Sequence, residues 1–308
     1  MSRILVTGGA GFIGSTLVDR LISEGHTVVI IDNLVSGKRD YLNSQAKFYE
    51  LDICAPEIST VFETEKPEIV YHLAAQIDVR ISVDNPVLDN QINVLGSRNI
   101  LENCRLFGVK KFIFTSTGGA IYGEAAEIPT TEAAPTYPLS PYGIHKLTAE
   151  KYANFYHKVY GLDYTVLRFA NVYGPRQYKG GEAGVVSIFI ERAVSEKECV
   201  INGDGLQTRD YVYVDDVVTA LAKAKDVSYP GEINIGTAQE INILTVVTAI
   251  KSALGSVFNP AFGPAKPGEQ RRSCLSYALA HKILGWEPTI DINEGIKRTI
   301  EWTKKITF

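Results

Sequence analysis

The stretch Ile4-Leu5-Val6-Thr7-Gly8-Gly9-Ala10-Gly11-Phe12-Ile13-Gly14 passes from a short apolar run through spaced glycines into a segment where Ile13, Leu17, Leu21 and Ile22 recur at helical spacing. That order reads strand, tight turn, helix. Gly25 lies where the helix should stop, and Thr27-Val28-Val29-Ile30-Ile31-Asp32 is a second buried strand ending in an acid. The unit is βαβ. Glycines between a strand and a helix permit a tight turn, close backbone approach to a pyrophosphate and close packing of helix on sheet. Asp32 follows Gly14 by eighteen positions, near the distance expected of an acid that binds the adenosine ribose. Its carboxylate suits ribose hydroxyls and repels an extra phosphate, so the cofactor expected is NAD rather than NADP. Asp52 and Ile53, after the strand pattern of residues 47–51, are placed to frame the adenine, although an acid after a strand is commonly a turn former.

Working outward, further strand patterns lie at residues 69–73, 112–115 and 164–167, with helical patterns near 87–107 and 143–160. Such alternation predicts an α/β fold with a doubly wound parallel (Rossmann) sheet. After about residue 170 the alternation breaks up into glycine-marked loops, which predicts a second, smaller substrate domain. The expected division is a cofactor domain over 1–169, with returning segments near 211–237, and a mainly substrate-binding part over 170–308.

The 308 residues, 45% hydrophobic and 21% charged, suffice for a substantial core. A net charge of -4 provides no global field for nucleic acid, and none is expected as a partner. Cys54, Cys104, Cys199 and Cys274 are too scattered for a zinc site or a disulfide framework, so no metal is expected. No window approaches a membrane span and the N-terminus has no signal-like segment, which predicts a cytoplasmic protein free of the membrane.

Tyr142 and Lys146 stand four apart on an expected helix, where an ammonium can stabilise a phenolate. The pair gains weight from following Phe112-Ile113-Phe114-Thr115-Ser116-Thr117, whose hydroxyls should emerge at the carboxyl edge of the sheet beside the cofactor. At these residues the chain resembles the extended short-chain dehydrogenase/reductase family, and within it the UDP-galactose 4-epimerases of bacteria and archaea. The blocks that carry the resemblance, in order, are the glycine turn, His72-Leu73-Ala74-Ala75-Gln76, Asn93-Val94-Leu95-Gly96, the stretch from Ser116 to Gly123, and Ser140-Pro141-Tyr142 through Lys146. They continue with Ala170-Asn171-Val172-Tyr173-Gly174-Pro175-Arg176-Gln177, Gly203-Asp204-Gly205 and Arg209-Asp210-Tyr211.

The resemblance implies that Tyr142 takes the proton of the sugar 4-hydroxyl while hydride passes from C4 to NAD. A 4-keto sugar turns and takes the hydride back on its other face. Lys146 would lower the phenol's pKa and bond the nicotinamide ribose, and either Thr117 or Ser116 would relay the proton, since Gly118-Gly119 adds a residue to this turn. Cofactor contacts are implied for Gly8, Gly11, Phe12, Ile13, Gly14, Asp32, Asn33, Asp52, Ile53, Leu73, Ala74, Ala75, Gln76 and Asn93, besides Tyr142 and Lys146. UDP-sugar contacts are implied for Thr117, Tyr142, Asn171, Val186, Arg209, Lys266, Glu269 and Ser273. Lys266 replaces an arginine of the family, and Arg271 or Arg272 could compensate. Val185, Val186 and Phe189 could instead be simple core.

The resemblance also places Ser273 beside the sugar's C2 group, where a side chain this small would leave room for an N-acetyl group. The resemblance further implies a homodimer built on the helices near 87–107 and 143–160. A nucleotide-sugar 4,6-dehydratase, or a decarboxylase acting on UDP-glucuronate, would need acidic groups where Gly118, Gly119 and Ala120 stand. A UDP-glucuronate 4-epimerase remains the nearest alternative, and a non-catalytic NAD-binding sensor the alternative from another class.

Overall fold

In the computed structural model, which describes residues 1–177, 184–255, 258–265 and 270–307, β1 (Arg3–Thr7) enters the glycine turn and α1 (Phe12–Ser23) leaves it, followed by β2 (Thr27–Asp32). Next come β3 (Lys47–Glu50), α2 (Ile58–Glu65) and β4 (Ile69–His72). A long helical run follows. It consists of α3 (Val79–Asp84), α4 (Pro86–Asn90), a π-helical turn (Gln91–Gly96) and α5 (Ser97–Leu106). Asp78 and Asn85 cap α3 and α4 with their side chains, and Pro86 starts α4 where a missing N–H costs nothing. The strand β5 (Lys111–Thr117) runs into the single turn α6 (Gly118–Ile121). After it α7 (Pro141–Tyr160) is set by Ser140, which accepts from Gly143 N beside Pro141, and stopped by left-handed Gly161. It feeds β6 (Asp163–Phe169).

Beyond β6 the elements shorten: β7 (Asn171–Tyr173), α8 (Val185–Val194), β8 (Val200–Asn202), β9 (Thr208–Arg209), β10 (Tyr211–Tyr213) and α9 (Val214–Ala224). They continue as β11 (Glu232–Ile235), β12 (Ile241–Asn242), α10 (Ile243–Leu254), β13 (Ala261–Gly263), α11 (Ala278–Leu284) and α12 (Ile292–Thr307). The main sheet is parallel, in the order β11-β6-β5-β4-β1-β2-β3. It is a doubly wound α/β fold. The chain returns to this sheet through β11, and α9 packs on α1.

Alternation along the strands sends Ile4, Val6, Val28 and Ile30 into one apolar core and Leu5, Val29 and Ile31 into a second on the opposite face. The first core continues without a break into Val186, Phe189, Ile201, Trp286 and Ile296 from the C-terminal half. Val186, 1% exposed on α8, packs in this core, the alternative that the sequence left open beside a contact for the uracil. Among the described residues no helix is long and apolar enough to cross a membrane, and no cluster of His, Cys, Asp or Glu stands ready to hold a metal ion. All four cysteines are free thiols.

Candidate active site at the carboxyl edge of the sheet

The glycine turn is as tight as its sequence requires. A β-carbon at Gly14 would stand 2.0 Å from Gly8 O, and one at Gly8, where φ is +72°, would stand 2.7 Å from Ala74 N. Asp32 closes the turn from the side. Its carboxylate accepts from Ala10 N at 3.0 Å and Leu34 N at 2.8 Å, which leaves each oxygen a further lone pair. Burial pushes the Asp32 carboxyl up, and the two backbone N–H groups pull it back. Asn33 donates to Asp52 at 2.8 Å, and Asp52 also accepts from Cys54 N, tying the ends of β2 and β3 together beside buried Ile53.

The loop after β4 crosses the glycine turn. Leu73 N and Ala74 N both donate to Thr7 Oγ at 3.2 Å, and Thr7 Oγ lies 2.7 Å from His72 Nδ1. Ser97 Oγ donates to Asn93 O and lies 3.0 Å from His72 Nε2, which must then donate. His72 is thus the neutral Nε2–H tautomer, in keeping with burial, which pushes its pKa down to about 3. Farther along the same loop, Asn93 bonds Gln76 N and Gln76 O. Asn93 sits on the π-helical turn, a distortion that often marks functional sites.

On the other side of this loop, α7 presents Tyr142, half-buried, and Lys146, 3% exposed. Lys146 Nζ lies 4.1 Å from the centre of the Phe114 ring. Burial drags its pKa down to about 7, against the opposing pull of Glu150 and Asp89. Glu150, fully buried one turn farther along, gives both oxygens to Arg168 at 3.0 and 2.6 Å, and Arg168 also donates to Tyr122.

Thr117 and Asn171 face a shared space. A β-carbon at Gly119 would be 3.9 Å from both Thr117 Oγ and Asn171 Oδ1, so the glycine keeps that space open. Gly118 is glycine for another reason, since a β-carbon there would run into Leu275 at 2.3 Å. Ser116, 5% exposed, has a buried hydroxyl with no hydrogen-bond partner among the described residues. Asp210, 1% exposed, binds Thr237 N, Thr237 Oγ and Leu275 N, and its carbonyl accepts from Asn171 N. This knot brings Arg209, half-buried with Nη1 on Thr208 O, together with β7 and the segment carrying Ser273.

A nucleotide cradle, a hydroxyl at a strand end and a Tyr/Lys helix therefore meet at one edge of the sheet. Residues 4–236 match the NAD dependent epimerase/dehydratase family. The chain belongs to this family. Among relatives of this family member, the UDP-glucose 4-epimerase of Mycolicibacterium smegmatis is 45% identical over 97% of this chain and 98% of its own. A crystal structure of UDP-glucose 4-epimerase with UDP-glucose from Thermotoga maritima is 48% identical at a TM-score of 0.97, covering 99% of this chain and 100% of the other. The Thermus thermophilus UDP-glucose 4-epimerase complex with NAD is 42% identical at a TM-score of 0.92, over 98% of each chain.

On the C-terminal side, two arginines of this family member pair with carboxylates. Arg271 is held by Asp204, with 3.0 and 2.9 Å bonds, and Arg272 by Glu240, so both forks engage carboxylates. Lys266 and Glu269 lie outside the described residues. Ser273 is 8% exposed, next to Cys274, whose carbonyl accepts from Thr130 N. Sequence reading overlooked Asp89, His145, Glu150 and Arg168. Their only signal was charge at positions otherwise read as helix or strand interior, and their partners lie 18 to 56 residues away.

Proposed function

We propose that this protein is an NAD-dependent epimerase that inverts C4 of a UDP-hexose, UDP-glucose and UDP-galactose in the first place. The observation that carries the reading is the convergence of the glycine cradle, Thr117, Tyr142 and buried Lys146 at one sheet edge. The cradle suits a dinucleotide, because the turn has no side chain where a pyrophosphate must approach and Asp32 keeps free lone pairs for ribose hydroxyls. When bound, NAD supplies a reversible hydride acceptor for C4 of the sugar, so that a 4-keto sugar can be reduced again from its other face.

The residues in this reading divide the remaining work. Tyr142 takes and returns the proton of the 4-hydroxyl. Lys146, charged, stabilises the phenolate form of Tyr142 and bonds the nicotinamide ribose. Thr117 relays between sugar oxygen and phenol; its place on the space kept open by Gly119 favours it over buried Ser116. Gly8, Gly11, Phe12, Ile13 and Gly14 hold the pyrophosphate, Asp32 and Asn33 the ribose, Asp52 and Ile53 the adenine, and the loop 73–76 with Asn93 the nicotinamide end. Asn171 and Arg209 hold the diphosphate of the sugar nucleotide, with the fork of Arg209 matched to phosphate. Residues 1–169 with the returning 211–237 thus serve the cofactor, and 170–308 mainly the UDP-sugar. We also propose a cytoplasmic homodimer, supported by exposed Val87, Leu95, Leu106, Phe155 and Val159 on the helical run and α7.

The purified protein should carry NAD, since an epimerase must keep its reduced cofactor through the ketone stage. Denaturation and assay of the released nucleotide check this. NADP in the extract contradicts the reading of Asp32. Sedimentation of the same preparation should give a dimer.

If Ser273 stands beside C2 of the sugar, as the resemblance implies, its small side chain leaves room for an N-acetyl group, so UDP-N-acetylglucosamine or its galactosamine counterpart should be a second substrate. Ser273→Tyr is then expected to remove the acetylated activity and spare the plain UDP-hexoses. A wild type without acetylated activity overturns this.

A further inference from the structure

The loop at residues 73–78 is held at its start by Thr7 and at Gln76 by Asn93, yet neither accounts for the fully buried carboxylate behind it. That carboxylate is Asp89, on α4. It accepts from His145 Nδ1 at 2.5 Å, Gln76 Nε2 at 2.6 Å and Asn93 Nδ2 at 3.1 Å. Gln76 in turn bonds Asp78 through both ends of its amide. Burying an ionised carboxylate is costly unless its lone pairs are met, and three donors from three elements meet them here.

His145 lies between Tyr142 and Lys146 in sequence, so the Asp89–His145 bond fastens the helix of the reacting pair to α4, the π-helical turn and the loop across the glycine turn. We infer that Asp89 and His145 form a positioning dyad, which fixes the loop 73–78 against α7 and provides a counter-charge to Lys146.

The charge balance around Lys146 agrees. Asp89 faces His145 from α7, with Gln76 and Asn93 as its other partners. Glu150 and Asp89 raise the pKa of Lys146 against its burial, and Lys146 in turn lowers that of buried His72. Glu150 has both oxygens on Arg168, whose guanidinium offsets its charge. Asp89 is bonded to His145 and to two neutral amides, and its field opposes the desolvation of Lys146. With Lys146 poised near pH 7, a lost negative charge nearby lets the ammonium deprotonate at lower pH. The active, charged form is then lost earlier as pH rises.

This inference rests on the proposed roles of Tyr142 and Lys146, and the test separates the two. Turnover of UDP-galactose is measured across pH for the NAD-containing parent, Asp89→Asn, His145→Ala, His145→Asn and Tyr142→Phe, with melting curves confirming the fold. Asp89→Asn keeps the shape and should move the alkaline limb of kcat to lower pH by roughly half a unit or more. His145→Ala should lower kcat severalfold, and His145→Asn, whose amide can donate near the place of Nδ1, should recover most of it. Superimposable pH profiles for parent and Asp89→Asn, or equal kcat for the Ala and Asn variants, overturn the dyad while an inactive Tyr142→Phe leaves the epimerase reading intact. An active Tyr142→Phe overturns the assignment of the reacting pair on which the dyad rests.

Discussion

Tyr142→Phe is expected to lower turnover of UDP-galactose by roughly a hundredfold or more, the usual loss when a general acid–base is removed. The ring remains on α7, so packing is kept and only the hydroxyl is lost. Lys146 stays buried against Phe114, and the glycine turn is untouched. Affinity for the UDP-sugar should therefore change little while kcat collapses. Steady-state kinetics beside calorimetric titration of UDP separates the two quantities. Near-normal kcat means that the proton passes through another group.

Gly14→Ala should remove the cofactor. The added β-carbon would stand 2.0 Å from Gly8 O and 2.8 Å from Gly8 C, both backbone atoms that cannot swing aside as a side chain could. The turn must open, and its N–H groups leave the positions a pyrophosphate requires. Overpacking of this kind costs about 1–3 kcal/mol, and each ~1.4 kcal/mol is tenfold in affinity, so NAD should bind roughly ten- to a hundredfold more weakly. The check is the nucleotide released from equal amounts of parent and variant on denaturation. A full complement of NAD in the variant contradicts the placement of the pyrophosphate at this turn.

The first βαβ unit was legible because both faces of its sheet are covered. Strands buried on two faces read as unbroken apolar runs, and Gly8, Gly25 and Asp32 punctuate them. The return of the chain through β11, an edge strand in which Glu232 and Asn234 alternate with Ile233 and Ile235, was visible from the flanking Gly231 and Gly236, whereas the pairings β7 with β10, β8 with β13 and β9 with β12 involve strands of two or three residues. Strands so short leave no period to detect, and only tertiary contact defines them. The π-helical turn was invisible too, since its apolar pattern continues that of α4 and α5.

At the candidate site, Tyr142 and Lys146 were legible from local spacing and their place after β5, while the sequence left Thr117 and Ser116 both open as the relay. Asp89 with His145 and Glu150 with Arg168 were not, because a long-range contact between side chains leaves no local trace. Val186 shows the converse: an apolar residue at helical spacing looks the same whether it meets a ligand or the core, and only the fold shows it buried.

The central claim is C4 inversion by a cofactor that never leaves the protein. Its most direct test is to incubate the purified protein with UDP-galactose, adding no NAD, and to follow UDP-glucose by chromatography while watching for NADH in solution. The account predicts that UDP-glucose accumulates to an equilibrium mixture, that the same mixture forms from UDP-glucose, and that no free NADH appears. No conversion of either sugar, or conversion only with stoichiometric NAD and release of NADH, would contradict it.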